Sequence, residues 1–598
     1  PGAAGEAMDT PGRAAMGCPR AAGGTCRVTV RRAGLWVFLV AVAAYANALG
    51  NGFAYDDELI VETNPVVTQG LWPQVLNGPY WESGQGGGTL FRPLTTAAFT
   101  VQWKLWGGAA LGFHAVNTAI HALVALGVLA LLWIVLPPPG ALAGGIFFAI
   151  HPVHVEVVAN VVGLAELLAA LMVVAACLLY IRGAEWSPGL RGARAVGLVA
   201  LYLLGLAAKE IAVTLPGLLF LLELFRPGGR SELGKRLSKE APVYLALGAA
   251  LVAYLAWRGS VLGSIGGERS APVFFDVTGG ERILSAISVW PEYVRLLVAP
   301  LALSVDYGPP VLAISRGLTP EVIAGVLVLA VVAVVVGLGA RRSPPTALGV
   351  AWIAVAVLPV SNLFFPVGVL LAERILYLPS VGAAFAVGAG AGWLLAHPKA
   401  RVRKAAAVAI PIFAALLLGR TVTRNPVWLS TFTVIESLNE DHPESFYSHW
   451  KRAEGLARVG LTEEARANYE VAVALSPGHY GLLCAAADFV YRSGDPERAQ
   501  TLLLQAVNVL PDQPNAYRLL GGQFLEQGQG RQAHRIVLAG LAQHGSDRQL
   551  WAFLAESYVA KGDLEAAVRA LRAAMAAEPG VEEDRARLTE LLDARDRN

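Results

Sequence analysis

Residues 33–49 read AGLWVFLVAVAAYANAL, an apolar run without a charged side chain. A helix of about 20 such residues crosses the hydrocarbon core of a bilayer. Similar runs recur up to residue 420, charged residues make up only 15% of the chain, and mean hydropathy is +0.51. The sequence therefore predicts an all-α fold class that begins with a polytopic membrane helix bundle of about 11 spans. The predicted spans are residues 33–50, 112–136, 141–160, 162–181, 195–208, 210–225, 242–257, 319–340, 346–366, 375–396 and 404–420.

Basic residues are concentrated between these runs and, if the spans are correct, on one side of the membrane. Short loops rich in Lys and Arg face the cytoplasm. The first run follows basic residues and has no convincing cleavage site, so we expect a retained anchor after a disordered lead over residues 1–30. The basic clusters are Arg27, Arg31 and Arg32; Arg182, Arg191 and Arg194; Arg226, Arg230, Lys235, Arg236 and Lys239; Arg341 and Arg342; and Lys399, Arg401, Arg403 and Lys404.

One further segment, Ile283 to Val305, is long enough to cross the membrane and tests this topology. It carries Glu292 and Arg295 near its middle, and each charge costs roughly 2.5–3.5 kcal/mol at a span centre. We therefore expect an interfacial or re-entrant helix inside a long exterior loop over residues 258–318. The predicted membrane domain covers residues 31–425, its first exterior loop covers 51–111, and the C-terminal third of the chain lies outside the cytoplasm.

The C-terminal part, residues 426–598, contains a repeat of 34 residues. Glycines and alanines recur in three columns: Gly460, Gly494, Gly528 and Gly562; Ala465, Ala499, Ala533 and Ala567; and Ala453, Ala487, Gly521 and Ala555. This period, with small residues where two helices cross, is typical of tetratricopeptide repeats. The sequence predicts an α-solenoid of about four repeats. Its concave surface is expected to bind a polypeptide, and the alternative is a folded spacer.

Charge and cysteine content exclude several classes of function. The net charge is +2 and the basic residues lie between apolar runs, so nothing indicates a nucleic-acid partner. The four cysteines, Cys18, Cys26, Cys177 and Cys484, show neither zinc-binding spacing nor a disulfide framework.

Ionisable residues from five segments converge on the predicted exterior face. Ionisable groups at bilayer depth are rare and usually mark a functional site. A carboxylate there could take a proton from an acceptor hydroxyl, and fixed cations could hold a lipid phosphate. The residues are Asp56 and Asp57 beside Glu58; Arg92; His151, His154 and Glu156; Lys209 and Glu210; and Glu373 and Arg374.

Each group has a structural alternative. Asp56 and Asp57 could cap a helix, since aspartate is a preferred N-cap residue. Lys209–Glu210 and Glu373–Arg374 could be structural ion pairs or interface anchors. His151, His154 and Glu156 do not share one helical face well, so we predict hydrogen bonding and no metal site there. Whether a divalent metal is required stays open.

Several motifs together resemble the transmembrane and tetratricopeptide repeat-containing O-mannosyltransferases, which are GT-C class membrane glycosyltransferases. The resemblance runs from Tyr45 to the C-terminus, and its motifs occur in the family's order. They are YANALGNGFAYDDELIVETNPVV (45–67), LFRPLTTAAF (90–99), GFHAVNTAIHAL (112–123), IFFAIHPVHVEVVANVVGLAELLAAL (146–171), LGLAAKEIAVTLPGLL (204–219), YVRLLVAPLALSVDYG (293–308), LPVSNLFFPVGVLLAERILYLPSVG (358–382) and the 34-residue repeats.

The resemblance implies a polyprenyl- or dolichyl-phosphate sugar donor, usually of mannose, and transfer to a protein hydroxyl with inversion. It matches Asp56 and Asp57 to the family's acidic motif, with one carboxylate as base. It also places Arg92, Lys209 and Arg374 in matching motifs, as candidate contacts to the donor phosphate. His151, His154, Glu156, Glu210 and Glu373 are expected to support the site. The high Arg, Ala and Gly content suggests a bacterium, hence an undecaprenyl-linked donor and a periplasmic site at the inner membrane.

The leading hypothesis is therefore a membrane glycosyltransferase that acts on Ser or Thr of a protein recruited by the repeats. One alternative is a related enzyme that acts on a glycolipid or polysaccharide. Another is a non-catalytic membrane anchor for a tetratricopeptide scaffold.

Overall fold

A computed structural model describes residues 23–81, 90–184, 188–226, 232–263, 272–274, 277–309, 311–578 and 581–597. These residues form helices and turns, and none of them lies in a strand, which confirms the all-α class. The chain divides into two compact units, Pro1–Ser437 and Leu438–Asn598. Residues 1–22 of the predicted disordered lead lie outside the described residues, whereas residues 23–30 begin the first helix.

Where the structure describes it, the first unit contains seventeen α-helices and the start of an eighteenth. In chain order they are α1 (Gly23–Ala44), α2 (Pro65–Thr68), α3 (Trp72–Asn77), α4 (Pro93–Trp106), α5 (Ala110–Val135), α6 (Pro138–Ala149), α7 (Val155–Val158), α8 (Leu164–Gly183), α9 (Arg191–Ala208), α10 (Leu215–Leu224), α11 (Leu233–Leu262), α12 (Gly279–Ser288), α13 (Trp290–Val298), α14 (Pro320–Arg342), α15 (Pro344–Val357), α16 (Ser380–Leu395), α17 (Ala400–Arg424) and α18 (Thr431–Asp441).

Several of the predicted spans are shorter or more broken than their hydropathy indicates. Among the described residues, six helical segments are long and apolar enough to cross a membrane, or seven if α6 and the segment Pro152–Val158, bent by 43°, form one span. The helices α15 and α16 are apolar but shorter. The chain is thus an integral membrane protein, and the predicted count of about 11 spans is not confirmed.

The segment Ile283 to Val305 does not form one continuous helix. The helices α12 and α13 meet at Val289, and the chain beyond Val298 is irregular. This geometry agrees with an interfacial or re-entrant segment and not with a straight span.

Three predicted spans end in short 3-10 turns at one end of this unit. The turns are Pro152–His154 after α6, Glu210–Thr214 after α9, and Glu373–Leu376 before α16. Lys209 and Ala372, which precede two of these turns, have extended backbones with φ of −159° and −148°. Irregular backbone at membrane depth is stable only where protein buries it or where it lines a cavity. All three turns begin next to predicted site residues.

Small residues bring α15 and α16 into close contact. A Cβ atom on Gly349 would lie 2.3 Å from the carbonyl oxygen of Gly382, and one on Gly382 would lie 2.2 Å from that of Gly349. Only glycine at both positions allows this approach, which is typical of helix packing in membranes. The contact fixes the start of α16, directly after the turn that carries Arg374.

The second unit confirms the predicted repeat. Four helix pairs follow α18, and a last helix closes the described chain. Gly460, Gly494, Gly528 and Gly562 adopt φ between +70° and +90° at the turn inside each pair, which explains that column of glycines. The helices are α19 (Phe446–Arg458), α20 (Thr462–Leu475), α21 (Tyr480–Arg492), α22 (Pro496–Val509), α23 (Pro514–Glu526), α24 (Gly530–Gln543), α25 (Arg548–Val559), α26 (Leu564–Ala577) and α27 (Glu582–Arg597).

Candidate active site

An open cleft with about 470 Å³ of empty space lies where the ends of several helices of the first unit meet. Of the predicted site residues, Asp56, Arg92, Glu156, Lys209 and Arg374 line it. They come from five separate stretches of the chain, so the predicted convergence on one site is found for half of the set. Apolar walls are provided by Ile60, Tyr80, Trp81, Leu90 and Val162.

The two adjacent aspartates have different surroundings. Asp56 is half-buried and lines the cleft. Asp57 is fully buried, and its carboxylate accepts hydrogen bonds from the backbone N–H groups of Ala54 (3.1 Å), Val161 (3.3 Å) and Val162 (2.8 Å). Burial raises the pKa of Asp57 to about 8, against the opposite effect of these donors. Asp57 therefore ties its loop to the start of α8, while Asp56 faces the cleft.

Tyr55, directly before this pair, adopts a left-handed backbone with φ of +58°. Such a conformation is uncommon for a residue other than glycine and persists only when its surroundings fix it. It turns the chain sharply just before Asp56, after which Glu58–Glu62 form a short helical turn. The strained residue thus sets the direction in which Asp56 leaves the backbone.

Arg92 precedes α4 and is held by Glu210. Its Nε and Nη2 donate to Glu210 Oε2 at 3.2 and 3.0 Å, and its guanidinium lies 4.9 Å from the centre of the Tyr80 ring. Arg258, from α11, donates to the other oxygen of Glu210 at 3.3 Å. Burial alone raises the pKa of Glu210, but the two arginines outweigh it and hold this pKa below its usual value. Glu210 is thus a shared anchor for two cations.

Lys209 follows α9 and contacts Glu166, near the start of α8. The ammonium of Lys209 donates to Glu166 Oε1, and both side chains are largely buried. Burial lowers the pKa of Lys209 well below its usual value, and the charges of Arg92 and Arg374 act in the same direction. An anion that enters the cleft would raise this pKa and favour the protonated, cationic form of Lys209.

Arg374 is held by Glu156. Its Nη1 donates to Glu156 Oε1 at 2.7 Å, and its backbone N–H donates to Oε2, also at 2.7 Å. The side chain of Glu156 is 3% exposed and that of Arg374 is 31% exposed, so the guanidinium reaches into the open part of the cleft. Burial alone lowers the pKa of Arg374, but the negative charges of Glu156 and Asp56 outweigh burial and hold this pKa above its usual value. The guanidinium therefore stays charged.

The ion pairs join different residues from those suggested by the sequence. Lys209 pairs with Glu166 and not with its neighbour Glu210, whereas Arg374 pairs with Glu156 and not with its neighbour Glu373. The extended backbone of Lys209 points its side chain away from that of Glu210. Glu373 and Arg374 are consecutive residues of a 3-10 turn, so their side chains lie about 120° apart around it. Each pair therefore joins two segments far apart in the chain.

Glu373 points away from the cleft and anchors the long loop before α14. Its Oε1 accepts hydrogen bonds from the backbone N–H of Ser304 (2.7 Å) and the hydroxyl of Tyr307 (2.8 Å). Burial raises the pKa of Glu373 to about 8. The predicted supporting residue thus belongs to the loop scaffold.

Replacing Glu373 by glutamine is expected to flatten the dependence of thermal stability on pH. A folded-state pKa of about 8, above the ordinary 4.5, means that the folded chain keeps a proton that the unfolded chain releases. The free energy of unfolding of the wild type should therefore fall as pH rises from 5 to 8, and the E373Q chain should show a smaller fall. Melting temperatures in detergent between pH 5 and pH 8.5 would measure this. If melting temperature fell equally with pH in the two chains, the raised pKa of Glu373 would be contradicted. Asp57, whose pKa is also raised, accounts only for the fall that remains in E373Q.

The two predicted histidines lie in the packed core behind the cleft. His151 Nε2 lies 3.2 Å from the carbonyl oxygen of Leu297, and His154 Nε2 lies 2.8 Å from Ser380 Oγ. Both rings are fully buried. The break at Pro152 turns them toward α13 and α16. Within the part of the chain that the structure describes, no group of three or more His, Cys, Asp or Glu is arranged to hold a metal ion.

The sequence analysis did not single out Tyr80 and Glu166, which line the cleft, or Arg258, which pairs with Glu210. Glu166 had a usable signal, because it is an acid inside the apolar run of α8, where charges are rare. Arg258 directly follows the predicted span 242–257, where a basic residue at the end of a membrane helix is common and does not indicate a site. Tyr80 offers no signal of this kind, since an aromatic residue in a loop is common.

Comparisons with known proteins find a repeat family in the second unit and relatives over most of the chain. A tetratricopeptide repeat family matches residues 456–522. Protein O-mannosyl-transferase F38B6.6 of Caenorhabditis elegans is 26% identical over 459 residues, which cover 74% of this chain and 62% of that protein. Mouse TMTC3 is 24% identical over 87% of this chain and 65% of its own length, and human TMTC4 is 28% identical over 70% and 63%.

The curated relatives of this chain are protein O-mannosyl-transferases. The resemblance inferred from the motifs is thereby confirmed over most of the chain. The chain spans less than two thirds of the length of these relatives, between 62% and 65% for the three compared.

Proposed function

We propose that this chain is a membrane glycosyltransferase that moves a sugar, mannose by analogy with its relatives, from a polyprenyl-phosphate carrier to Ser or Thr of a protein. The observation that carries the proposal is the composition of the cleft. A half-buried carboxylate, Asp56, and three cations, Arg92, Lys209 and Arg374, line the same small space. The carboxylate is suited to remove a proton from the acceptor hydroxyl, and the cations are suited to stabilise the negative charge of a departing lipid phosphate.

The reaction follows from these positions. Asp56 takes the proton of the acceptor hydroxyl while that oxygen forms a bond to the anomeric carbon of the sugar. The bond from that carbon to the phosphate oxygen breaks, and its electron pair stays on the lipid phosphate as negative charge. A single displacement of this kind inverts the anomeric carbon, as the family resemblance implies.

The cations are suited to stabilise that charge because carboxylates already fix their positions. Preorganised charges in a partly dehydrated site act without reorganisation at the moment of reaction. An arginine has five N–H donors, so the pairs with Glu156 and Glu210 orient Arg374 and Arg92 and still allow contacts with a phosphate. Lys209 lines the same cleft, and a phosphate there would favour its protonated form.

Two features support the proposed partners. The relatives are named as protein O-mannosyl-transferases, and tetratricopeptide repeats commonly bind polypeptides, which together favour a protein acceptor. The membrane unit favours a lipid-linked donor, since a polyprenyl chain is soluble only in the bilayer. For a bacterial chain, as the composition suggests, the carrier would be undecaprenyl phosphate and the cleft would face the periplasm.

Purified full-length chain in lipid nanodiscs tests the proposal. We expect transfer of radiolabelled mannose from a synthetic polyprenyl-phosphate mannose to Ser/Thr-containing polypeptides extracted from the parent organism. Mass spectrometry should find a hexose on Ser or Thr, with one free polyprenyl phosphate released per sugar. The folded D56N chain is the matched control.

The outcomes are distinct. A sugar found on a lipid or polysaccharide would contradict the protein acceptor and keep the enzyme class. No consumption of polyprenyl-phosphate mannose or of other polyprenyl-phosphate hexoses by a folded chain would contradict the proposed function altogether.

A further inference from the structure

The loop that carries Asp56 is tied to a distant segment, residues 425–431, which we name the strap. The backbone N–H of Gly52 donates to the carbonyl oxygen of Leu429 at 2.9 Å. The side-chain amide of Asn51 donates to the backbone carbonyl oxygen of Asn425 at 3.2 Å. Asn425 in turn donates to the carbonyl oxygen of Ala44 at 2.8 Å. The strap thus runs along the chain that leaves α1.

The last strap residue, Thr431, makes the contacts nearest to Asp56. Its Oγ1 accepts a hydrogen bond from the backbone N–H of Tyr55 at 2.7 Å and donates to the carboxylate of Glu58. These two partners lie on either side of Asp56 and Asp57 in the sequence. One hydroxyl therefore acts as donor and acceptor across the four-residue stretch that contains the diacid.

This contact coincides with the strained residue of the loop. Tyr55 has a φ of +58°, a conformation that side-chain-bearing residues adopt only where the surroundings fix it. The bond from the Tyr55 N–H to Thr431 supplies such a restraint before Asp56. The three N–H bonds to Asp57 supply the other restraint after it. Asp56 is held between these two fixed points and faces the cleft.

We propose that Thr431 is a positioning residue, which fixes Tyr55 through its hydroxyl and thereby directs Asp56 at the acceptor. This inference rests on the proposed function. A general base works only within hydrogen-bond distance of the proton that it removes, and a displacement of about 1 Å can lower a rate about 100-fold. Thr431 itself acts through Tyr55 and Glu58 and does not contribute to the binding of donor phosphate.

Replacing Thr431 by valine removes the hydroxyl and keeps the shape of the side chain. We expect T431V to lower kcat about 10- to 100-fold with little change in the KM for the lipid-linked donor. The conservative T431S chain should recover the rate to within about threefold, because serine restores both hydrogen bonds. Thr433→Val is the matched control: its hydroxyl donates to Val427 and Ser430 in the same segment, and its rate should stay near that of the wild type.

A double variant separates positioning from general damage to the fold. If Thr431 acts through Asp56, T431V should not reduce further the residual rate of D56N. Hydrogen–deuterium exchange at the Tyr55 amide should also rise in T431V and not in Thr433→Val.

Unchanged kcat in folded T431V would overturn the inference, and so would an equal loss from T431V in the wild-type and D56N backgrounds. A folded wild-type chain that transfers no sugar would instead contradict the proposed function on which the inference rests. The two failures are therefore distinguishable.

Discussion

Replacing Asp56 by asparagine is expected to lower the rate of sugar transfer by a factor of about 10² to 10⁴, the usual contribution of a general base. Asparagine has nearly the same shape as aspartate and cannot take a proton from an acceptor hydroxyl. Because Asp56 is half-buried and lines the open cleft, the fold should tolerate the change. Single-turnover transfer from a polyprenyl-phosphate sugar, beside a melting curve in detergent, would measure both quantities.

Asp57→Asn is the matched comparison, one residue away and chemically identical. Both carboxylate oxygens of Asp57 accept backbone N–H bonds, and an asparagine amide group would place N–H against N–H at one of them. Leaving a buried donor unsatisfied costs about 1–3 kcal/mol, so D57N should melt at a lower temperature. The fraction that remains folded should keep a far larger part of its rate than D56N does.

The opposite pattern would contradict the assignment. A D56N chain with wild-type rate, or a D57N chain that is fully stable and inactive, would place the base at Asp57. The structure would then have to change on acceptor binding so that Asp57 leaves its three backbone donors.

Features of this chain that are determined by nearby residues could be predicted from the sequence, and features that depend on long-range packing could not. The 34-residue columns predict the helix pairs because each repeat is determined within itself and by its neighbours. Most ionisable residues of the cleft could be found because charge in or directly beside an apolar run is unusual. Glu156, Lys209 and Arg374 came from that signal, whereas Asp56 and Arg92 were included because they lie in the first exterior loop, on the same predicted face.

The rest depends on packing that one sequence does not encode locally. Hydropathy gives the length of an apolar run but not the point where the backbone leaves the helix. The predicted span 141–160 therefore runs through the turn Pro152–His154, and the predicted span 210–225 includes the turn Glu210–Thr214. The partners of Lys209 and Arg374 lie 43 and 218 residues away, and adjacency suggested the wrong ones. Asp56 and Asp57 are equivalent in sequence, and the fold separates their directions through the left-handed backbone of Tyr55 and the three N–H donors to Asp57.

The second large effect is expected at the pair of Arg374 and Glu156. Either R374Q or E156Q alone leaves one charge of this pair in a largely buried place, which costs about 3–5 kcal/mol. Both single variants should therefore melt at markedly lower temperatures. The double variant R374Q/E156Q places two neutral amides together, which can hydrogen-bond to each other, and most of the lost stability should return.

Catalysis should not return with stability. If Arg374 stabilises charge on the departing lipid phosphate, its removal should lower kcat about 10² to 10³-fold, as loss of a preorganised donor does elsewhere. That loss should persist in the stable double variant. A merely structural ion pair predicts the reverse, because restored folding would restore the rate. Thermal melting and transfer kinetics on the same four chains separate the two possibilities.

A second buried pair provides the control. Arg194 donates to both carboxylate oxygens of Glu240, at 3.1 and 2.9 Å, and both side chains are nearly buried. Arg194 lies near the start of α9 and Lys209 follows its end, so the pair is about 22 Å from the cleft at 1.5 Å per residue. R194Q/E240Q should change melting temperature and leave kcat nearly unchanged. Since the two pairs have the same chemistry and the control pair contains the more buried arginine, a rate loss confined to R374Q/E156Q would show that position at the cleft, and not the loss of a buried ion pair, makes Arg374 necessary for transfer.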